Sequence, residues 1–245
     1  MSGLICAGNV HVALLNDDGS FAGFLDIKNT TKLAFSAGEG EEKQRISRQR
    51  ENYGQVLDSV IIPGVPTVAV SFDEADASTV GMALLGTLSP LSLTAETRTA
   101  VDFTVTALGT WLELGDRFIN TAGFSLTENN AGAALVAGLD YVVDHAMGLV
   151  KFLESGDVEV GQVIEKTYTT RAVQGTRIQG SRKNQIKARI LLNGKNLADG
   201  RALVAEIPQC TLKSASEFDA LSTDFVVTEL NGSIIGDYTV DYLDA

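Results

Sequence analysis

Apolar residues recur at every second position along most of this chain, and a period of two rather than 3.6 limits it to a sheet-built fold. Leu25, Ile27, Leu33 and Phe35 alternate with Asp26, Lys28, Lys32 and Ala34, the pattern of a half-buried strand pair or of one long bent strand. Val68, Val70 and Phe72 alternate with Thr67, Ala69 and Ser71. Ile186, Ala188, Ile190 and Leu192 alternate with Gln185, Lys187 and Arg189. Asn193-Gly194 then offers a two-residue turn whose positive φ angles suit a tight hairpin, with Ala202 to Ile207 as the return strand. Further strands are expected at Phe103 to Leu108, Val163 to Thr170, Phe225 to Leu230 with Asn231-Gly232 behind it, and Tyr238 to Leu243.

One helix is expected, at about residues 73–86. Asp73 is placed to cap it, Asp76 to reach back to a free N–H, Ala77, Val80 and Leu84 to line one face, and Gly86 to close the C-terminus. One helix among many strands implies a mainly-β fold, a sandwich or partial barrel with the helix over one face or end. A chain of 245 residues can bury one large core or two small ones. The stretch from Glu96 to Thr170 reads as a small β module inserted into a discontinuous core domain of residues 1–95 and 171–245. It has closely spaced short strands, a Gly/Ala-rich connection from Asn129 to Ala137 and a hairpin around Ala146 to Gly148. The plainer alternative is that these strands extend the main sheet. Trp111 is expected to anchor the module's core, or else to mark a partner surface.

Between the strands ending near Phe35 and beginning near Val68 lies a charged stretch, Ala37 to Ser59, without clear periodicity. About twenty structureless residues inside a compact domain are uncommon and are usually functional or disordered. Gly38, Glu39, Gly40, Glu41 and Glu42 supply little to bury, whereas Ile46, Tyr53, Val56 and Leu57 supply anchors. Arg45, Arg48 and Arg50 add guanidinium forks suited to carboxylates. The stretch reads as a loop that orders on docking to a neighbouring copy; a solvated surface loop is the alternative.

Net charge is −12, which disfavours non-specific attachment to nucleic acid or anionic membrane. The charge is also segregated: Lys166 to Lys195 holds eight Lys or Arg and no acid, and seven acids follow Lys213 without a base. Arg177, Arg182, Lys183, Lys187 and Arg189 in the basic stretch form a candidate charged interface between copies, or ordinary surface charge. The basic stretch lacks interleaved aromatics, so it does not fit single-strand binding by base stacking. Cys6 and Cys210 show no metal spacing and are expected to be reduced. The N-terminus has no convincing secretory pattern, and the apolar window Gly81 to Leu93 is broken by Pro90 and too short to span a membrane. A cytoplasmic product is expected.

Motifs for nucleotide binding, zinc proteases or serine hydrolases are missing from the sequence. His11 and His145 give little material for a histidine-centred site, and His145 is expected in a solvated turn. Asp140 and Asp144 lack the calcium-loop pattern. No enzyme activity, metal or cofactor is expected.

Against this background the sequence resembles the major tail tube proteins of long-tailed bacteriophages. The resemblance is carried by FLDIKNTTKLAFS from Phe24, EEKQRISRQRENYGQVLDSV from Glu41, the Pro63 to Phe72 strand with DEADASTVGMALLGT behind it, ARILLNGKNLADGRALVAEIPQCTLKSASEF from Ala188, and STDFVVTELNGSI from Ser222. It covers about Met1 to Leu93 and Gly175 to Ala245, and Glu96 to Thr170 departs from it. It implies a β-sandwich subunit with one flanking helix, closing into hexameric rings that stack into a tube through which double-stranded DNA passes without specific binding. It also implies other tail proteins as partners (tape measure, tail terminator, baseplate or tip proteins), no membrane partner, and a place in the virion tail after synthesis in the host cytoplasm. The inner tube of a contractile injection system and a capsid decoration or head-to-tail joining protein remain alternatives. A carbohydrate-binding sandwich needs exposed aromatics, and the aromatic content of 7% gives it little support.

Overall fold

The structure is a computed structural model and describes residues 3–16, 18–21, 23–26, 28–129 and 132–244. The chain begins with β1 (Cys6–Leu14), β2 (Thr30–Ser36), β3 (Glu41–Ile46), β4 (Val56–Ile62), β5 (Thr67–Phe72), the helix α1 (Ala77–Ala83) and β6 (Thr87–Leu93). Next come β7 (Thr97–Thr104), β8 (Trp111–Glu113), β9 (Ser125–Glu128), β10 (Tyr141–Asp144), β11 (Leu149–Phe152) and β12 (Val163–Thr169). The chain ends with β13 (Val173–Gln179), β14 (Ile186–Asn196), β15 (Ala202–Ser214), β16 (Thr228–Ile234) and β17 (Thr239–Tyr242). It divides into two compact units, one of residues 1–89 and 178–245, the other of residues 90–177. Strands β6 and β13, where the chain passes from one unit to the other, pair as a two-stranded ribbon.

The first unit is an antiparallel sheet in the order β1-β14-β15-β16-β5-β2, with β17 also on β15, and it curls into a nearly closed partial barrel. Its interior is the alternating set expected from the sequence: Val68, Val70 and Phe72 of β5, and Ile186, Ala188 and Ile190 of β14, all buried. Curvature has a local cause. Ala188 pairs with Cys210 but Ile190 pairs with Ile207, so two residues of β15 oppose one of β14, and the bulge holds Pro208, which has no N–H for a ladder. Cys210, buried beneath it, has its thiol pushed up to about 12 by desolvation.

Both Asn-Gly pairs lie within strands, where turns were expected. Gly194 sits in β14 opposite Gly8 of β1, and the chain reverses later, between Asn196 and Ala202. A Cβ on Gly8 would stand 2.6 Å from the Asn193 carbonyl oxygen, and one on Gly194 would stand 2.7 Å from the Cys6 sulfur. Gly232 in β16 likewise approaches the Thr211 carbonyl too closely for any side chain. These glycines are selected by close strand approach, not by φ. Asn196 shows the same economy: fully buried, it donates to the Gly3 carbonyl and Tyr242 hydroxyl and accepts from the amides of Ile5 and Ala198. Among the remaining strand assignments, Phe103–Leu108 is shifted to β7, Phe225–Leu230 to β16, and Leu25 lies outside β2. Ile27 is outside the described residues.

The helix is shorter than expected and capped by a different residue. Asp76, not Asp73, accepts the Thr79 amide at 2.8 Å, while the Asp76 amide donates to Thr79 Oγ1 at 2.9 Å, completing a capping box. Asp73 instead accepts both its bonds from the Asn29 side-chain amide. The C-terminus closes with Leu85 in the left-handed region at φ 48°, with Leu85 N–H donating to Met82 and Gly86 N–H to Gly81. The buried stripe is Thr79, Gly81, Met82 and Ala83, not the expected Ala77, Val80 and Leu84, and Met82 joins the sheet core.

The unit of residues 90–177 is a small sandwich with its own core. Sheets β7-β12-β9 and β10-β11-β8 enclose Leu114, Leu126, Phe152, Ile164 and Tyr168. Asp144 Oδ1 accepts the amides of Ala146 and Met147 in the expected hairpin turn, and Asp140 is buried, accepting the amides of Val136 and Asp157. Trp111, expected in the core, is half exposed because in β8 it lies on the outer face beside Lys151, while Leu112 points inward. His145 is not fully solvated either: its ring meets Phe124 edge-on at 5.1 Å and its Nδ1 is buried without a hydrogen-bond partner.

Asp76→Ala is expected to destabilise the protein by about 1–2 kcal/mol through loss of the cap, read as a lower denaturant midpoint, with Asp73→Ala costing less. Burial opposes ionisation of Asp76, but hydrogen bonds from Lys28 and Thr79 outweigh it and hold the carboxyl well below the usual range. Its contribution is therefore present above the ordinary aspartate range and is lost as pH falls through the depressed folded value. The difference between parent and Asp76→Ala should be constant at neutral pH and narrow only in strong acid.

Candidate functional site

The stretch Ala37–Ser59, expected to be structureless, is for the most part a β-hairpin made by β3 and β4. It continues the pairing of β2 with β5. Ser36 faces Thr67 at the end of that pair, and Glu41 faces Ile62 at the start of the next, five residues further along each strand, so one register runs through both. Sequence periodicity missed the hairpin because its alternation separates no buried face from a wet one. Every residue of β3 and of β4 is exposed.

The two pairs are joined by a neck of Gly38, Gly40, Pro63, Gly64 and Pro66, which carries no assigned strand. Here the backbones nearly touch. Gly38 has φ +83°, and a Cβ there would overlap the Gly64–Val65 peptide; a Cβ on Gly64 would overlap Glu39, and one on Gly40 would stand 2.9 Å from the Ile62 carbonyl oxygen. Glycine is required at these positions for close approach, and the prolines fix φ on the opposite strand. The neck therefore holds the hairpin to the sheet without lending it a side chain to pack on.

At the far end the tip is closed by Ser47, the one buried residue of the segment from 41 to 62. Its amide donates to Gln55, its carbonyl accepts the Gly54 amide, and its hydroxyl donates to Asn52 Oδ1 at 2.6 Å. Around this knot Arg48, Arg50 and Tyr53 face solvent, with Tyr53 75% exposed.

Opposed residues on paired strands share a face. One face carries Glu42 with Ile61, Gln44 with Ser59, and Ile46 with Val56; the other carries Glu41 with Ile62, Lys43 with Val60, and Arg45 with Asp58. Leu57 is the additional residue at a bulge between Arg45 and Ile46. Each face is a strip of aliphatic and charged groups side by side. Ile61 is 70% exposed, and Ile46, Val56, Leu57, Val60 and Ile62 are also solvent-facing. Covering these side chains would release roughly 10 kcal/mol at the usual apolar transfer value, the same order as the cost of associating two proteins. A two-stranded hairpin standing alone is marginal in water, and here both faces stand in solvent. Of the expected anchors, Arg45, Ile46, Arg48, Arg50, Tyr53, Val56 and Leu57 all lie on the hairpin or its tip. Val60, Ile61 and Ile62 were missed, although a β-branched run stopping at Pro63 was a readable strand signal.

The basic stretch does not gather into one patch. Arg182, Lys183 and Lys187 line a cleft of about 590 Å³ with Asn16, Asn184 and Gln185, and the amides of Arg182 and Lys183 both donate to the Leu85 carbonyl. Arg189 is engaged within its own sheet: its guanidinium donates to Glu206 at 2.6 Å and lies over the rings of Phe21 and Phe24. Arg177 belongs to the unit of residues 90–177, on β13.

A third set of charged residues, not foreseen as a group, braces the small sandwich. Arg98 donates through Nε to Asp116 at 2.9 Å and pairs with Glu96 at 2.7 Å; the Tyr168 hydroxyl donates to Asp116 at 3.0 Å, and Lys166 Nζ donates to the Leu114 carbonyl. The Arg98 hydrogen bond holds the Asp116 carboxyl below its usual range, and burial raises the Tyr168 phenol and lowers the Lys166 ammonium. Each polar group is satisfied, as a structural brace requires. Among the described residues no cluster of His, Cys, Asp and Glu is arranged to hold a metal ion, and no helix is long and apolar enough to cross a membrane.

The chain belongs to the family described as "Protein of unknown function UCP028589", which it matches over residues 4–242. No curated protein matches it.

Because the hairpin gives the body no buried side chain, replacing residues 41–62 by a short Gly/Asn turn should leave the thermal midpoint of the isolated chain within about 2 °C of the parent. Calorimetry checks this, and a fall of 5 °C or more would mean that the hairpin packs on the body.

Proposed function

We propose that the chain is a structural subunit of a phage tail tube, assembling into hexameric rings that stack into a conduit for DNA. The observation that carries this reading is the exposed hairpin: an ordered, apolar, two-faced strand pair on a glycine neck, which a neighbouring copy can cover. A contact between two different surfaces of the same chain is heterologous, and repetition of such a contact closes rings or builds filaments. The edge strands β1 and β2 of the barrel sheet offer a second route for joining copies, since an edge presents unpaired backbone groups.

The net charge of −12 supports the conduit reading in a different way. Lys and Arg on an inner wall would hold phosphates and release counterions, whereas an acidic wall lets a duplex pass. On this reading the small sandwich of residues 90–177 projects from the outer surface, where it leaves the bore clear. Tape measure, terminator and baseplate or tip proteins are the expected partners at the ends of the tube.

Electron microscopy of the purified chain at high concentration tests the proposal, with hollow cylinders of stacked rings expected. Trimers or single rings only would favour a capsid decoration or joining role, and a strictly monomeric chain under all conditions would end the proposal. Val60→Lys with Ile61→Lys should abolish cylinders while changing stability by no more than about 0.5 kcal/mol, as expected for exposed positions. Cylinders of normal length from that variant would remove the hairpin from the contact.

A further inference from the structure

The unit of residues 90–177 contains a cleft of about 620 Å³ whose charge runs against that of the chain. Four arginines line it, Arg98, Arg117, Arg171 and Arg177, with only Glu96 and Asp116 as acids. Both acids are already engaged by Arg98. The guanidinium groups of Arg117, Arg171 and Arg177 have no partner among the described residues. In a chain with 31 acids and 19 bases, three unengaged arginines around one concavity are a carboxylate-attracting surface. Leu91, Leu93 and Phe118 give the same cleft an apolar component.

The cleft is also held in shape. Phe118 sits in the left-handed region at φ 55°, its amide donates to Ala146 at 3.0 Å, and its carbonyl accepts the Arg171 amide at 2.7 Å, which sets Arg117 and Arg171 beside each other. The Thr170 amide donates to the Glu96 carbonyl, and the Glu96 amide to the Thr170 hydroxyl. A preformed site of this kind loses little ordering entropy when it is filled.

The chain also carries a segment of matching chemistry. The connection between β15 and β16 is pinned at its base by Ser216, whose hydroxyl donates to the Val227 carbonyl and accepts the Glu229 amide. Beyond that pin it presents Glu217, Asp219 and Asp224 together with Leu221 and Phe225, which are 91% and 92% exposed. Two large apolar side chains held almost wholly in water beside three carboxylates form an unpartnered surface.

We infer that the arginine-lined cleft binds an acidic peptide segment with apolar anchors, and that its occupant is the Glu217–Phe225 loop of a second copy of this chain. The arginines pair with the loop carboxylates, and the cleft's leucines and phenylalanine cover Leu221 or Phe225. This inference rests on the self-association proposed above, but uses surfaces separate from the hairpin.

Charge reversal on each side tests it. One full-length variant carries Arg117→Glu and Arg171→Glu, the other Glu217→Arg and Asp219→Arg; all four positions are exposed, so both variants should fold. Sedimentation velocity should show each variant alone associating at least about tenfold more weakly than the parent, and an equimolar mixture regaining the parent's association, because each reversed surface then meets its complement. Unchanged association of both single variants, or a mixture that stays dissociated, overturns the inference. A labelled peptide of residues 214–228 supplies an independent arm: it should bind the full chain carrying Glu217→Arg and Asp219→Arg, but not the cleft variant. Cylinders in the microscope that are indifferent to the reversals would sink this inference and leave the tube proposal standing. Peptide capture by a chain that never forms cylinders would do the opposite. Capture of duplex DNA by the cleft with no peptide binding would also overturn it.

Discussion

The register that runs unbroken from the β2–β5 pair into the β3–β4 pair is the constraint on which the rest of this molecule depends. Below the neck the ribbon is part of a sheet whose inner residues, Val68, Val70 and Phe72, are buried, so its register cannot slip without turning the core outward. Above the neck the same register places Ile61, Val60 and Ile62 in water. Glycines at 38, 40 and 64 let the two backbones close against each other at the change-over. The body thereby dictates how the hairpin is arranged, while the hairpin adds no buried side chain to the body.

How much of this was legible depended on whether a residue's surroundings lay within its own chain. The buried alternation of β5 and β14 is written in apolar periodicity because one face of each strand is dry. The hairpin is not, because both its faces are wet and glutamates, lysine and arginine sit opposite isoleucine and valine. The Asn-Gly pairs at 193–194 and 231–232 differ from expectation for a related reason: the dipeptide fits a hairpin turn, but the neighbours that exclude a side chain there, Cys6 and Leu203 at Gly194 and Thr211 at Gly232, become visible only once the strands are paired. Asp73 and Asp76 were both plausible caps three residues apart, and the reciprocal bond with Thr79, together with Lys28 brought from the preceding strand region, decides for Asp76.

The candidate site was legible in composition before it was legible in shape. Arg45, Arg48, Arg50, Ile46, Tyr53, Val56 and Leu57 stand out as charge and apolar anchors in a stretch with little else to bury, and all lie on the hairpin. The basic stretch, by contrast, was read as one feature because its residues are close in sequence. The fold distributes it: Arg189 is engaged by Glu206, Arg182, Lys183 and Lys187 share one cleft, and Arg171 and Arg177 line another together with Arg117 from elsewhere in the chain. Charge proximity in space follows strand pairing, and that is not recorded in runs of like residues.

Hydrogen exchange on the amides of β3 and β4, followed by mass spectrometry in dilute single copies and in the assembled state, tests the central claim most directly. The account predicts rapid exchange across residues 41–62 in the single copies, since a lone two-stranded ribbon opens at little cost, while the amides of β5 and β14 exchange only on deep unfolding. On assembly the hairpin amides should slow by about a hundredfold or more, as a covering partner raises their opening free energy by several kcal/mol. Equal exchange across the hairpin in the two states would contradict the claim that it is the surface through which copies of this chain meet.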